Sequence, residues 1–477
     1  MRVPEPAGGL DDAADRSGPS AMDGGMTGSL PRAGVVVAPA GYGKTHRVSE
    51  IIRSGLRVLV LTHTHVAVNN ARRRQGVPHG VKLETIDAFA RRLCLCFPTL
   101  SGVPTETTDW RVFEEGATAV LHSPAVATAL AASYDQVVVD EFQDCSKKQV
   151  ALLHALAALL PTLALGDPLQ SLFDLLDPTQ AATWEAKTSA WVDQEELTYP
   201  WRWHDQPDRG AWISRTRTAL LEGSPVELDD PSTRVHRVSQ QHGAYLSRLM
   251  RGPGSWAVIA GDAKNPNLPS TLAKTHPWNR LTVLEVGQPK ELVDFTDAWE
   301  SGRRTLAVLQ LIKQCASNTT KVPGFTSCHA NAATNKPSRS NAPLAALANQ
   351  LVEQASPEAA LALIDIVLDH PDTHLYRPQL LSRAQRALCI AQTEQTPLLA
   401  ALARVDNQLR HMGNNPGNGP VVGSVLRMKG LEFDHVIIVQ PERLDSPEEI
   451  YVALTRAKQT CTIVVKEGQA VPWLASP

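Results

Sequence analysis

Two short stretches of this chain hold residue types whose spacing suits phosphate chemistry. The first, Ala38-Pro39-Ala40-Gly41-Tyr42-Gly43-Lys44-Thr45, follows the apolar run Val35-Val36-Val37. Glycines at 41 and 43 allow a tight turn whose backbone N–H groups, from Ala40 through Tyr42 to Lys44, can cradle phosphates. Lys44 offers a cation to the β and γ oxygens, and Thr45 offers a hydroxyl to Mg²⁺. The second stretch, Asp140-Glu141-Phe142-Gln143-Asp144, closes another apolar run, Val137-Val138-Val139. Carboxylates at the end of a buried strand can hold the metal and polarise a water. A lone phosphate loop is a modest signal. Both stretches, in this order and each behind a strand, predict hydrolysis of a nucleoside triphosphate; binding without turnover is the competing expectation.

The whole chain narrows the class. At 477 residues it is too long for one ordinary core, so two or more domains are expected. Hydrophobic residues make up 43% and charged residues 20%, the balance of a soluble globular protein. A net charge of -3 gives no general basic bias, so a nucleic-acid surface would have to be a local groove. No uninterrupted apolar stretch is long enough to span a bilayer, and the N-terminus lacks a basic-then-apolar leader pattern. A cytoplasmic location is expected. The seven cysteines include no Cys-x-x-Cys pair, which predicts reduced thiols rather than a disulfide framework. Cys315, Cys328 and His329 depart from zinc-ligand spacing.

The elements that must position these residues are legible as a pattern. Residues 1–33 are rich in Gly, Ser, Asp and Pro without apolar periodicity, and disorder is expected there. Beyond them a strand, the phosphate loop and a helix from Thr45 to Arg53 lead to a second strand, Val58 to Leu61, ending at Thr62-His63-Thr64. Further strands are predicted at 137–139 and 163–165. Such alternation predicts parallel sheets with sites at the strands' carboxyl ends. A second α/β pattern begins near Val235 and resumes after Val421. Between its two parts the spacing turns helical, over Leu344 to Leu368 and Pro378 to Leu409, with a polar loop expected over 317–343.

Four more motifs follow in order: Gly166-Asp167-Pro168-Leu169-Gln170-Ser171-Leu172-Phe173, Tyr199-Pro200-Trp201-Arg202, Lys429-Gly430-Leu431-Glu432-Phe433-Asp434, and Tyr451-Val452-Ala453-Leu454-Thr455-Arg456-Ala457-Lys458. With the two boxes already described, the chain resembles superfamily 1 helicases of the UvrD/Rep type. The resemblance implies an ATPase using Mg²⁺ and acting on DNA. Residue by residue, it implies that Lys44 binds the phosphates, that Thr45 and Asp140 hold the metal, and that Glu141 is the general base. It makes Gln170 a γ-phosphate sensor and Arg202 and Arg456 arginine fingers. Glu432, beside Gly430, would meet the ribose. Trp201 stands where the family has a tyrosine that stacks on adenine.

For the nucleic-acid strand, the resemblance implies contacts from Thr62, His63, Thr64, Thr85, Phe89 and Phe173. Arg72-Arg73-Arg74 and Arg91-Arg92 either neutralise phosphates or form a solvated helix face. The chain also departs from the family. No glutamine precedes Lys44, Leu175 replaces an expected aromatic, Leu426 replaces a usual histidine, and the segment from Phe97 to Tyr134 is too short for the usual accessory domain.

The fold expected is α/β: two RecA-like P-loop domains with parallel sheets, the second carrying a helical insertion. Domain 1 would span 34–204, domain 2 205–274 and 413–477, and a reduced 2B-like insertion 275–412. The activity expected is an ATP-dependent DNA helicase or single-stranded DNA translocase, with 3′ to 5′ polarity by resemblance. Two alternatives stand beside it. One is a DNA-sensing regulatory ATPase with a nuclease partner in an antiviral defence complex such as Gabija. The other is a nucleotide-binding scaffold without turnover.

Overall fold

The structure, a computed structural model, describes residues 33–63, 78–104, 111–172, 179–191, 193–239, 243–261, 267–276, 281–284, 289–412 and 419–475. The N-terminal stretch through residue 32, Thr64, Arg72, Arg73, Arg74, Phe173 and Leu175 lie outside the described residues.

Six short strands build the first sheet: β1 (Ala33–Val37), β2 (Val58–Thr62), β3 (Lys82–Thr85), β4 (Gln136–Asp140), β5 (Thr162–Gly166) and β6 (Asp193–Glu196). Their order is β3-β2-β4-β5-β1-β6, and every pairing is parallel. A parallel sheet covered by helices on both faces needs strands that are apolar throughout, which is why Val58–Thr62 and Val137–Val139 are uniformly buried. Register then decides which residues meet. Thr62 pairs with Asp140 on one side and Thr85 on the other, and Val37 pairs with Gly166, so the predicted motifs share the sheet's carboxyl edge.

The second sheet has the order β7-β14-β13-β8-β12-β9 and is also parallel throughout. Its strands are β7 (Thr233–Val238), β8 (Trp256–Ile259), β9 (Thr282–Val283), β12 (Val421–Gly423), β13 (Phe433–Val439) and β14 (Ala457–Lys466). The expected α/β fold with two parallel sheets is therefore present. One apolar cluster joins the sheets: Ala40, Tyr42, Leu169 and Leu172 from loops of the first pack with Ile259, Val436, Ile438, Tyr451 and Leu454 of the second.

A separate core lies in the helical segment, running from Leu292 to Val405. Leu309, Leu363 and Leu380 are fully buried in it, each worth about 1.5–3 kcal/mol relative to exposure. The two long helices predicted there are each divided: Pro343–Glu353 and Pro357–Leu368, then Pro378–Glu394 and Leu398–Met412. Pro357 opens the second of these after Ser356, whose hydroxyl caps it, and Pro397 precedes the fourth. The loop expected over 317–343 is corrected in part. It contains the helix Phe325–Ala332, whose Phe325, Cys328 and Ala332 are buried on one face, so packing overrides weak local propensity. Strands β10 (Ala316–Ser317) and β11 (His374–Leu375) form a short antiparallel pair.

Between Phe97 and Tyr134 the described chain forms the short helix Pro98–Ser101 and the helices Arg111–Leu121 and Pro124–Ser133. No described helix is long and apolar enough to cross a membrane.

Candidate nucleotide site between the two sheets

The loop after β1 turns through Gly41 and Gly43, at φ 80° and 93°, and delivers Lys44 into the first turn of the helix Lys44–Ile52. Both positions demand glycine twice over. Their backbone lies in the left-handed region, and a Cβ at Gly41 would come within 2.8 Å of Arg202 Cβ, while one at Gly43 would meet Trp201 Cδ1 at 2.8 Å. The turn Trp201–Trp203 thus sits directly on the loop, and the Arg202 N–H donates to the Gly41 carbonyl at 2.9 Å. Ala40 and Tyr42 shape the loop instead of facing a ligand. The Ala40 N–H donates to the Tyr451 hydroxyl at 3.1 Å, the Tyr42 N–H donates to the Pro39 carbonyl at 3.0 Å, and both side chains are buried.

Lys44 reaches the carboxyl end of β4. Its ammonium is paired with Glu141 and lies 3.4 Å from Asp140 Oδ1. Burial alone would lower the lysine's pKa, but the two carboxylates hold it above the usual lysine range. Burial pushes Asp140 up, with Lys44 opposing. Glu141 goes the other way: against burial, Lys44 and then Lys429 hold its carboxyl down at about 2. Glu141 is therefore an anion throughout the physiological range. Its backbone is left-handed at φ 58°, a conformation that costs a non-glycine residue about 1–3 kcal/mol. Gln143 offsets this by donating from Nε2 to Glu141 Oε2 at 2.5 Å, while the Asp144 N–H closes the turn on the Glu141 carbonyl at 3.0 Å.

Gln143 also accepts from the Asp167 N–H at 3.2 Å, linking this turn to the next. Gln170, predicted as a sensor, is buried and donates from Nε2 to Asp167 Oδ2 at 2.9 Å. Asp167 in turn lies 3.5 Å from the Arg217 guanidinium.

The second sheet supplies the opposite wall. Arg202 donates to the Thr455 carbonyl at 2.7 Å and to Glu432 Oε1 at 2.5 Å. Arg456 is buried and donates to the carbonyls of Val452 at 3.0 Å and Leu431 at 3.1 Å, and to Thr455 Oγ1 at 3.1 Å. Burial, followed by the charge of Arg202, lowers its pKa to about 10. Glu432 is held below the usual carboxylate range: burial opposes this, while Arg202, Arg456 and Lys458 outweigh it. The charge of Arg202 disfavours that of the buried Arg456, and an anion placed between the walls would relieve this. Gly430, at φ 76°, turns the chain between Lys429 and Glu432.

At the outer mouth, Trp201 and Tyr199 are 39% and 42% exposed, with rings 4.6 Å apart at 68°. His46 stands 6.0 Å from the Trp201 ring. This aromatic group extends the single stacking residue expected from the sequence. Trp203, by contrast, is a core residue at 1% exposure.

The predicted strand contacts fare differently. Phe89 is corrected: its ring is wholly buried in the first sheet's core, against neighbours including Leu61 and Leu93, so no base can reach it. Thr85 is buried and its hydroxyl accepts from the Ala88 N–H at 3.1 Å, capping the helix Ile86–Cys96. Thr62 is buried as well, and burial pushes the Asp144 carboxyl up, with Lys429 and then His63 opposing. Arg92 is paired with Glu84 at 2.5 Å, whereas Arg91 is exposed.

Sequence reasoning quoted Asp144, Lys187 and Lys429 at most as motif letters or not at all. Asp144 and Lys429 form an ion pair between the two sheets. Lys187, 1% exposed, donates to the Gln143 carbonyl, which also accepts from Ser171 Oγ at 2.8 Å. An isolated lysine in a sequence carries no sign of this; only its burial does.

A divalent cation fits the donor set. Asp140 and the exposed Thr45 carry hard oxygen donors beside the loop turned through Gly41 and Gly43, the donor type that suits Mg²⁺.

Comparison with known proteins agrees with this geometry. Residues 27–174 match the AAA domain family, and residues 421–464 match the UvrD-like helicase C-terminal domain. These segments contain the phosphate loop, the acidic box and the last strands of the second sheet, so the resemblance to UvrD/Rep-type helicases is borne out. No curated protein matches the chain. Among solved structures, an arterivirus nonstructural protein 10 helicase in complex with DNA aligns over 92% of this chain and 62% of its own, with a TM-score of 0.35 and 10% identity. The PRRSV helicase aligns over 93% and 54%, with a TM-score of 0.33 and 12% identity. The chain thus spans under two thirds of the length of these helicases.

Proposed function

We propose, for a chain that carries an AAA domain and a UvrD-like helicase C-terminal domain, that it is an Mg²⁺-dependent ATPase driving translocation along single-stranded DNA or separation of its strands. The observation that carries this reading is convergence. Lys44, Asp140 and Glu141 lie on one wall and Arg456 and Glu432 on the other, and Arg202 bridges them, its N–H on Gly41 and its guanidinium on Thr455 and Glu432. Phosphoryl transfer needs positioning and charge stabilisation more than covalent help, and these residues supply both.

The division of labour follows from the contacts. Thr45 and Asp140 would hold Mg²⁺, which would supply charge neutralisation at the phosphates. Lys44 and the turn through Gly41 and Gly43 bind the phosphates, and Trp201 with Tyr199 stacks on the base. Glu141, an anion near neutral pH, orients the attacking water and accepts its proton. Arg202 and Arg456 stabilise charge developing on the γ-phosphate. Gln170 reports that charge through Asp167 and Gln143 to the turn that carries Glu141. Because Arg456 belongs to the second sheet, hydrolysis requires both walls in place, and this is what makes hydrolysis able to move one sheet against the other.

We divide the chain into a first domain at 34–204, a second at 205–274 and 413–477, and a helical insertion at 275–412. The resemblance assigns 3′ to 5′ polarity, and a cytoplasmic setting suits the composition. A second reading is a DNA-sensing ATPase that licenses a nuclease partner in antiviral defence. The burial of Phe89, Thr85 and Thr62 favours it, since these side chains give little grip on a strand.

Steady-state ATPase measurements with and without single-stranded DNA test the proposal. Stimulation by DNA is expected. Turnover without stimulation would remove the motor reading, and no turnover would leave only the scaffold. Strand displacement on 3′-tailed and 5′-tailed duplexes then separates a helicase from a sensor.

A further inference from the structure

The Lys429 ammonium leaves the second sheet's wall and ends inside the first. It donates to both carboxylate oxygens of Asp144, at 2.6 Å for Oδ2, and to the Gln170 carbonyl at 2.5 Å. An ammonium has three N–H donors, and these three acceptors match them. The side chains of Lys429 and Asp144 are only 10% and 2% exposed. Lys429 thereby holds two separate turns of the first wall: Phe142–Asp144, whose geometry fixes Glu141, and Pro168–Gln170, which carries Gln170.

Charge counting points the same way. Asp140, Glu141 and Asp144 place three carboxylates within one turn of chain, and Lys44 is the cation that the first wall itself brings to Glu141 and Asp140. Asp144 receives its cation from the second wall. Displacing that wall would leave Asp144 buried beside Glu141 without its partner, a costly arrangement.

We infer that Lys429 is a positioning residue that makes the acidic turn carrying Glu141 depend on the placement of the second sheet. It acts through Asp144 and the Gln170 backbone and does not itself bind phosphate. This rests on the hydrolytic reading above, for which it supplies a switch: the general base is held in its working geometry only while the sheets are docked.

The test uses the full chain with Lys429→Met, Asp144→Asn and the double variant. Hydrogen exchange without nucleotide is read on peptides covering 141–145 and 167–172, and kcat and KM are read on ATP. Lys429→Met strands a buried carboxylate, so exchange in both peptides should rise by roughly tenfold or more. Its kcat should fall by about tenfold or more, with KM within about threefold, because Lys429 makes no ground-state contact with ATP. The double variant removes both charges, so exchange should return toward that of the unmodified chain while kcat stays low. Recovery of kcat together with exchange would overturn the inference and make Lys429 a structural counter-charge. A rise in KM with kcat unchanged would make it a phosphate ligand, also overturning it. If the unmodified chain hydrolyses nothing, the functional reading falls, and exchange alone decides: unchanged exchange in Lys429→Met sinks the tie between sheets, and raised exchange in both peptides upholds it.

Discussion

The Ala40 N–H and the Tyr451 hydroxyl are hydrogen-bonded at 3.1 Å although they lie 411 positions apart. One stands in the phosphate loop of the first sheet, the other on the helix Pro447–Thr455 of the second. The loop is therefore shaped by a residue of the opposite wall before any ligand is considered. Catalytic geometry and sheet docking are one property here, and the predictions below separate their parts.

Glu141→Gln should abolish turnover while sparing ATP binding. The amide keeps the shape of the turn but cannot accept a proton, and general-base loss typically costs about 10²–10⁴-fold. Phosphate release paired with binding of a fluorescent ATP analogue checks this. Retained turnover would show that the base is misassigned.

Trp201→Ala should raise the dissociation constant for ATP by roughly 5- to 150-fold, the range of one aromatic–base stack, with kcat little changed. Trp201→Tyr should restore most of the affinity. Titration of both variants distinguishes stacking from a packing role against Gly43, where the two rings would also differ in stability.

Asp230→Ala should destabilise the second sheet by about 3–5 kcal/mol. Arg209 is 1% exposed and donates to Asp230 at 2.8 Å and to Ser232 Oγ at 2.7 Å. Removing the carboxylate leaves a buried guanidinium without its counter-charge. Chemical denaturation provides the number, and a loss under about 1 kcal/mol would contradict the assignment.

Glu114 should make the protein less stable as pH rises. Burial, then the charge of Asp87, raises its carboxyl from 4.5 to about 7, with Lys148 and Gln149 opposing. Between those two values the folded chain keeps a proton that the unfolded chain has lost, so stability falls as pH increases across that window. Glu114→Gln should flatten the melting temperature between pH 5 and pH 7.5. An unchanged slope would place the effect elsewhere.

How much of this was legible in the sequence depends on distance along the chain. Lys44, Thr45, Asp140 and Glu141 were readable because each motif is local and follows its own strand. Arg202 and Arg456 were readable as motif letters, but their meeting at Thr455 was not. Phe89 was misplaced because a motif position says which residue is present and not which way a helix turns it. The divided helices were signalled by Pro357 and Pro397, which periodicity alone passed over. The pair of Lys429 and Asp144, 285 positions apart, left no local trace, since only the docking of two sheets creates it.

The apolar cluster shared by the two sheets has a consequence for how the chain can be cut. Ala40, Tyr42, Leu169 and Leu172 from the first sheet's loops share one core with Ile259, Val436 and Ile438 of the second sheet. Severing the chain between the sheets leaves each half with a greasy face and no cover, so halves made apart should aggregate and halves made together should reassemble. The helical segment is different. With a core of its own from Leu292 to Val405, it should accept exchange for another helical unit with the nucleotide site's walls left intact.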